Sequence, residues 1–596
     1  MANSFGSLYV GASGLQSASH GLNTTANNLS NVNTEGYVRE QVVYEDRDYR
    51  KIGTASVSSQ YAGLGVQVGT IVHARDIFLD KAYRTENGRY SFYNASAEAV
   101  QEVYTQLQES DGEAFEGAIE DFEEAFEEFA KDPSDTVNQN LVLQKASLFL
   151  SRAAAVQDGL EDYQTIINSK IVEDVDRINE IGKTIVDLNK RIQAIEAAQV
   201  EKAMDLRDQR DLLLDELSGL VRMTYREDNG GVVHVDIEGT EFIDEVTYHE
   251  IGALENKRTG FITCYWPNLS DTENGEYFKV FNLDSVSAEN NSDIGEIKAL
   301  LLARGDDWAN YLDFYESDGT TTISVNTYEK GISNSIMMNS EAELDTLIHQ
   351  MVTSINDLFS PLTTIGDAYS DVQSISYTDS DGNTVTLTPT NNSSVKILDE
   401  ENCSVGTDGE LPPRELFVRN GCDRYTKVSA TITDSEGNQS TKTLYLYNEE
   451  DPTDTSKCYT LKSLIINEDL EKQEAYLPHL KYSDQDEVDY ELGANMSALW
   501  AKQEFNLNPS DTTPCGFSGF YVKWIGEAAN TGNVYSTTAT SLQGTKEEIE
   551  SSRQGVIGVS SDEELTTMIK YQSAYNAASR YINVVNEMIE HLLTSL

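Results

Sequence analysis

At 596 residues the chain is too long for one hydrophobic core, and three or four domains are expected. An apolar fraction of 39% argues against wholesale disorder, and 43 basic against 100 acidic side chains give a formal charge of −57, which argues against nucleic acid and anionic membranes as partners. Five cysteines without regular spacing make no disulfide framework, although Cys403, Cys422 and Cys458 share one region and leave room for a single bridge. No basic and then apolar leader opens the sequence and no run of about 18 apolar residues occurs, so neither a cleaved Sec signal nor membrane insertion is expected.

The first element reads as a helix over roughly Ser7–Val32. Leu8, Leu15, Leu22 and Leu29 recur every seven residues, and Gly11, Ala18 and Thr25 fill the adjacent positions of the same seam. The end of this helix is unusually rich in amides. Asn27, Asn28 and Asn31 fall three and four apart and so mark one face with neutral donors and acceptors, just before Gly36 and Tyr37. Short amides compete with the helix backbone, so one reading is that they fray and cap the helix end. The other is that they serve a subunit contact in which neutral hydrogen bonds avoid stacking like charges. Gly36 would let the chain leave the helix in a left-handed turn.

Coiled-coil-like sequence follows. Phe115, Ile119, Phe122, Phe126 and Phe129 step by four and three along a strongly acidic helix that Pro133 stops, with Ser134 or Asp135 capping the next one. Ile178, Ile181, Ile185, Leu188, Ile192 and Ile195 form a second seam, and helix continues to about Val221. Long helices with short connections predict an elongated bundle. "GGVVHVDIEGTEFID" then alternates as a hairpin, and helix is expected again at Ile294–Ala309 and Glu341–Phe359. From about Thr364 to Tyr490 the pattern is mainly β, with hairpins around "DSDGN" and "DSEGN". Helix resumes at Met496–Ala501 and Tyr521–Arg553. The last helix follows "SSDEEL", where Ser560 or Ser561 caps and the carboxylates sit at the positive end of the dipole. Its seam holds Met568, Tyr575, Ile582 and Ile589, with Tyr571, Ala578, Val585 and Leu592 three residues after each.

The fold class expected is therefore α+β and multidomain: terminal helices pairing as a coiled coil (1–60 with 552–596), an elongated α-helical bundle with a β-hairpin (61–363 with 491–551), and an inserted mainly-β outer domain (364–490). Catalytic constellations are not legible. His249-Glu250 begins like a zinc-protease helix but has Ala253 where the second histidine belongs. The glycines of "YAGLGVQVG" lack the Lys-Ser/Thr of a phosphate loop, and "DSDGN" lacks the glutamate of a calcium loop. The seven histidines show no metal spacing. The expectation is no enzyme, no cofactor and no metal.

The two ends together resemble a known family. Ala26, Asn27, Asn28, Leu29, Ser30, Asn31, Thr34, Gly36, Tyr37 and Arg39 match the N-terminal signature of the axial proteins of the bacterial flagellum, and Tyr571, Gln572, Ala574, Tyr575 and Ala578 match their C-terminal helix. The long helices between about Glu98 and Val221 are similar to the hook-associated proteins of the FlgK type rather than to hook or rod subunits. The resemblance fades over the β insertion, and 317–340 is unmatched.

Such a resemblance implies a structural subunit of the hook–filament junction, exported unfolded by the flagellar type III apparatus and located outside the cell. It implies contacts with the hook protein and the next hook-associated protein, self-association in a ring, and an export chaperone on the C-terminal helix. The subunit interface would use Leu8, Leu15, Leu22, Asn27, Asn28, Leu29, Asn31, Gly36 and Tyr37 from one end. From the other it would use Met568, Tyr571, Tyr575, Ala578, Ile582, Val585, Ile589 and Leu592. Two expectations accompany it: chain ends largely disordered in the free monomer, and a segment 364–490 dispensable for assembly. A hook or rod subunit, or a surface adhesin binding glycans through the β insertion, are the alternatives.

Overall fold

The computed structural model describes residues 2–54, 59–108, 115–197, 202–284, 286–379 and 382–595. Its body is built on helices Ile77–Gln108, Phe115–Lys131, Thr136–Glu196, Met204–Leu220 and Phe517–Ile557. Pro133 does separate two helices, and Asp135 is the cap, its side chain accepting from the Val137 N–H. The 61-residue helix Thr136–Glu196 spans about 90 Å. All five positions of the aromatic seam are buried. Phe115 and Phe122 stack on Phe149 at 5.7 and 5.4 Å, and Phe126 and Trp500 meet at 5.1 Å. Helix Phe517–Ile557 runs antiparallel to Ile77–Gln108, with Tyr521 donating to the Leu107 carbonyl at one end and Arg553 over the Tyr83 ring at the other.

The hairpin expected after Arg226 is present as strands Val233–Ile237 and Thr240–Ile243, and Met223–Glu227 adds a third strand. Helix Glu296–Arg304 is shorter than expected, because Gly305 at φ 79° ends it. Helix Ile336–Phe359 is largely buried and is spiked with acids. Glu341 accepts from the Ala309 N–H, Glu343 from the Asn508 amide, and Asp345 from the Tyr311 and Leu461 N–H groups. Three separate loops are thus pinned to one helix by buried carboxylates. Burial pushes the Glu341 carboxyl up to about 8 and that of Asp345 to about 6.

The β insertion forms an antiparallel six-stranded sheet in the order Leu362–Thr364, Lys396–Leu398, Gln439–Tyr447, Tyr425–Asp434, Val372–Thr378, Thr384–Leu387. Ile365, Ile375, Ile397, Val428, Ala430 and Leu444 give it a core of its own. The segment 364–490 is not one separate unit, however. Leu416, Phe417, Tyr459, Leu464 and Leu477 lie in the core of the helical body. Asn356 of the central helix also bonds Phe417 through both its N–H and its carbonyl. Those residues of 364–490 are part of the core of the body, and excising the whole segment would open it. All five cysteines are free thiols.

Candidate interface at the paired chain ends

Helix Ala2–Ser30 and helix Ser561–Ser595 lie antiparallel. Their contacts advance by one heptad at a time: Asn28 faces Glu564, Gly21 faces Tyr571, and Gly14 faces Ala578, with Gly11 against Ile582 beyond. The approach is close because the N-terminal helix presents almost no side chain there. A Cβ placed on Gly21 would lie 2.6 Å from both Tyr571 Cε1 and the Tyr44 hydroxyl. Glycine is required at that position by space rather than by backbone angle.

The buried positions of the first helix are the small and polar ones, among them Ser13, Ser17, Ala18, Thr24, Thr25 and Asn28. Leu8, Leu15, Leu22 and Leu29, read from the sequence as the seam, are only half-buried along its edge. Strands Glu40–Asp46 and Val66–His73, which pair antiparallel, cover the adjacent face of the helix, so that Gly21 and Asn28 meet both the strands and the C-terminal helix. Ser17 joins both of these strands, donating weakly to the Val66 carbonyl at 3.4 Å and accepting from Tyr44 at 3.2 Å.

The amide run has a specific geometry. Asn28, 1% exposed, donates to the Glu40 carbonyl (3.0 Å) and to Glu564 Oε2 (3.2 Å), and its Oδ1 accepts from the Tyr37 hydroxyl (2.9 Å) and the Glu40 N–H (3.0 Å). All four of its capacities are used within the chain. Asn31 donates to the Asn27 carbonyl and side chain and accepts from Thr34, tying off the helix end. Gly36 takes φ 74°, the left-handed conformation expected, and turns the chain so that Tyr37 reaches back to Asn28.

Glu564 completes the clasp. It is 2% exposed, lies in the first turn of its helix where the dipole favours a carboxylate, and pairs with Arg39 at 2.8 Å. Neither Glu564 nor Arg39 was singled out as an interface residue from the sequence. The signal was there, since Glu564 extends the 575–571–568 seam by one more step.

A second charged network lies beside the pair and ties helices Ile77–Gln108, Met204–Leu220 and Phe517–Ile557 of the body to one another. Arg75 pairs with Asp80 and Asp211, Arg84 with Asp211 and Asp215, and Arg553 with Asp80 and Asp215. Beside it Asp208 accepts from the Val38 N–H at 2.9 Å and lies 3.4 Å from His73 Nε2. Burial raises the Asp208 carboxyl to about 7 and, with Arg75, lowers the His73 imidazole to about 4.

On the C-terminal helix Met568, Tyr571, Ala578, Ile582 and Ile589 are half-buried and Val585 is buried, whereas Tyr575 and Leu592 are exposed. The distal half carries a further stripe, Tyr581, Val584, Met588 and Leu592, turned about 100° away from the paired face at 3.6 residues per turn. These side chains are open to solvent, Val584 by 51% and Met588 by 63%.

Three family descriptions match the chain. "Flagella basal body rod protein" matches residues 8–37, "Flagellar basal body rod FlgEFG protein C-terminal" matches 554–595, and "Flagellar hook-associated protein FlgK helical domain" matches 100–361. Flagellar hook-associated protein 1 of Bacillus subtilis is 23% identical over 604 residues, covering 100% of this chain and 99% of its own. The protein of that name from Escherichia coli is 24% identical over 244 residues, 41% of this chain and 44% of its own. The solved flagellar hook junction protein FlgK from Burkholderia pseudomallei aligns with a TM-score of 0.44 at 12% identity, over 81% of this chain and 100% of that one.

Both chain ends, joined in one clasped pair, carry the matches to rod proteins, which makes this an axial protein of the bacterial flagellum. With the helical body matched as well, the chain belongs to the FlgK family of flagellar hook-associated proteins. No described helix is long and apolar enough to cross a membrane.

Proposed function

We propose that the protein is a non-catalytic, ring-forming subunit of the hook–filament junction, exported by the flagellar type III apparatus and assembled outside the cell. The observation that carries this reading is the second apolar stripe, Tyr581, Val584, Met588 and Leu592, on a helix whose other face is already paired. A helix with one face held in its own chain and another open to solvent is built to receive a neighbour. The half-buried edge Leu8, Leu15, Leu22 and Leu29 supplies a complementary row on the partner helix. Asn27 and Asn31, at the solvent side of the clasp, offer neutral polar groups to a copy that carries the same negative charge. Asn28, Gly36 and Tyr37 act one step earlier, by holding the two chain ends in register.

In this reading the hook protein and the next hook-associated protein flank the ring. Before export an attendant chaperone covers the C-terminal helix, where the exposed stripe would otherwise associate. Deleting the gene in a motile host tests the assignment. Bare hooks with flagellin released into the medium are expected. Loss of the hooks would make it a hook or rod subunit, and normal filaments would make it a surface protein of another kind, such as an adhesin.

A further inference from the structure

Strands Met223–Glu227, Val233–Ile237 and Thr240–Ile243 bring three chemically suited side chains to one end of their sheet. Asp228 follows the first strand, His234 lies in the middle one, and Glu245 follows the third. One ring nitrogen of His234 and one carboxylate oxygen from each acid lie within 4.8 Å of one another.

The histidine is the unusual member. It is 8% exposed, its Nδ1 has no hydrogen-bond partner, and its Nε2 stands 3.9 Å from Asp228 Oδ2, beyond hydrogen-bond length. Buried polar atoms in proteins are nearly always satisfied, so an imidazole left this way calls for a further partner. Asp228 is held ready. Its Oδ1 accepts from the N–H groups of Gly230 (2.8 Å) and Val232 (2.9 Å), which leaves Oδ2 turned to the imidazole. Asp244 accepts from Val246 and Thr247 and so fixes the turn that presents Glu245.

We propose that Asp228, His234 and Glu245 bind one divalent transition-metal cation of the zinc or nickel class, tying the three strands together at this end of the sheet. One imidazole with two carboxylates suits such borderline cations better than magnesium or calcium, which prefer all-oxygen sites. Bonds of about 2.0–2.2 Å place tetrahedral ligand atoms roughly 3.3 Å apart, so the trio must close by about an ångström. The exposed Glu245 side chain supplies that movement. The charge of −57 raises the cation concentration around the chain. The three ligands stand close in sequence but match no recognised motif, which is why spacing alone pointed to no metal.

The test uses the full chain, stripped with chelator and titrated with Zn²⁺ by calorimetry, alongside imidazole ¹H–¹⁵N spectra in which only seven histidines contribute. One equivalent bound, with the His234 resonances shifted, is expected. Glu245→Gln, an exposed change that spares the fold, should weaken binding at least tenfold and abolish the zinc-dependent rise in melting temperature. Asp228→Asn should do the same. Absence of stoichiometric binding would overturn the proposal, and so would binding that leaves His234 unmoved and both variants unaffected.

Discussion

The helical body and the terminal pair are both made of long antiparallel helices, yet they are packed by opposite means. The body interlocks large side chains: Phe115, Phe122, Phe126, Phe129, Phe149 and Trp500 are buried together. The terminal pair approaches through Gly11, Gly14, Gly21 and Ala18, is pinned by the Asn28–Glu564–Arg39 clasp, and leaves much of its large apolar surface outside. A core of aromatics fixes one chain by burial. A seam of glycines with polar pins fixes the geometry of two helices and buries little large apolar surface.

The largest expected effect lies in the body. Phe122→Ala should cost about 3–5 kcal/mol in chemical denaturation, because the ring is fully buried against Phe126, Phe149, Phe417 and Trp500. A loss below about 1 kcal/mol would mean that the body relaxes as readily as the pair.

Acidity should also act mainly through the body. Burial holds the carboxyls of Glu341 (about 8), Glu415 (about 7) and Asp345 (about 6) above their ordinary values, and Asp208 at the joint behaves likewise. A raised carboxyl favours the folded state fully below its unfolded value, and that contribution is lost as pH rises through the folded value. His73, lowered to about 4, works in the opposite sense, but only as pH falls below its ordinary 6.5. Between pH 6.5 and 8 the acids therefore set the sign, and the melting temperature should fall as pH rises. Glu341→Gln should flatten that slope by up to about 1.4 kcal/mol per pH unit. A flat profile in the unmodified protein would show that these carboxyls titrate normally.

The sequence made the two packing styles unequally legible. Heptads at both ends and the aromatic seam were readable because each is a local periodicity. Which residues of the first helix are buried was not readable, since leucines dominate any apolar count while the close approach selects Gly21 and its neighbours. Strands Glu40–Asp46 and Val66–His73 escaped notice because a register shift at Val43/Tyr44 breaks the alternation of a short two-stranded ribbon. The expected helix Glu341–Phe359 gives no local sign that its acids are buried; the loops at Ala309, Leu461 and Asn508, distant in sequence, bury them.

Within the pair, Gly21→Val should separate the helices without touching the body. The added side chain meets Tyr571 and the Tyr44 hydroxyl, an overpacking worth about 1–3 kcal/mol that the clasp alone must resist. Proteolysis at both chain ends should accelerate while the main melting transition stays in place. If the main transition shifted instead, the pair and the body would be one cooperative unit.

The smallest effect on the free chain should carry the greatest consequence for assembly. Met588 is 63% exposed on the stripe with Tyr581, Val584 and Leu592, so Met588→Asp has no native contact to lose and should change stability by less than about 0.5 kcal/mol. In a polymer the same carboxylate would be buried against a neighbour with nothing to pair it, a penalty large enough to stop incorporation. Met588→Leu keeps the apolar area and should assemble normally. The two variants together separate folding from polymerisation: equal melting curves with opposite assembly outcomes would place the subunit contact on this stripe, whereas normal filaments from Met588→Asp would leave it as bare surface.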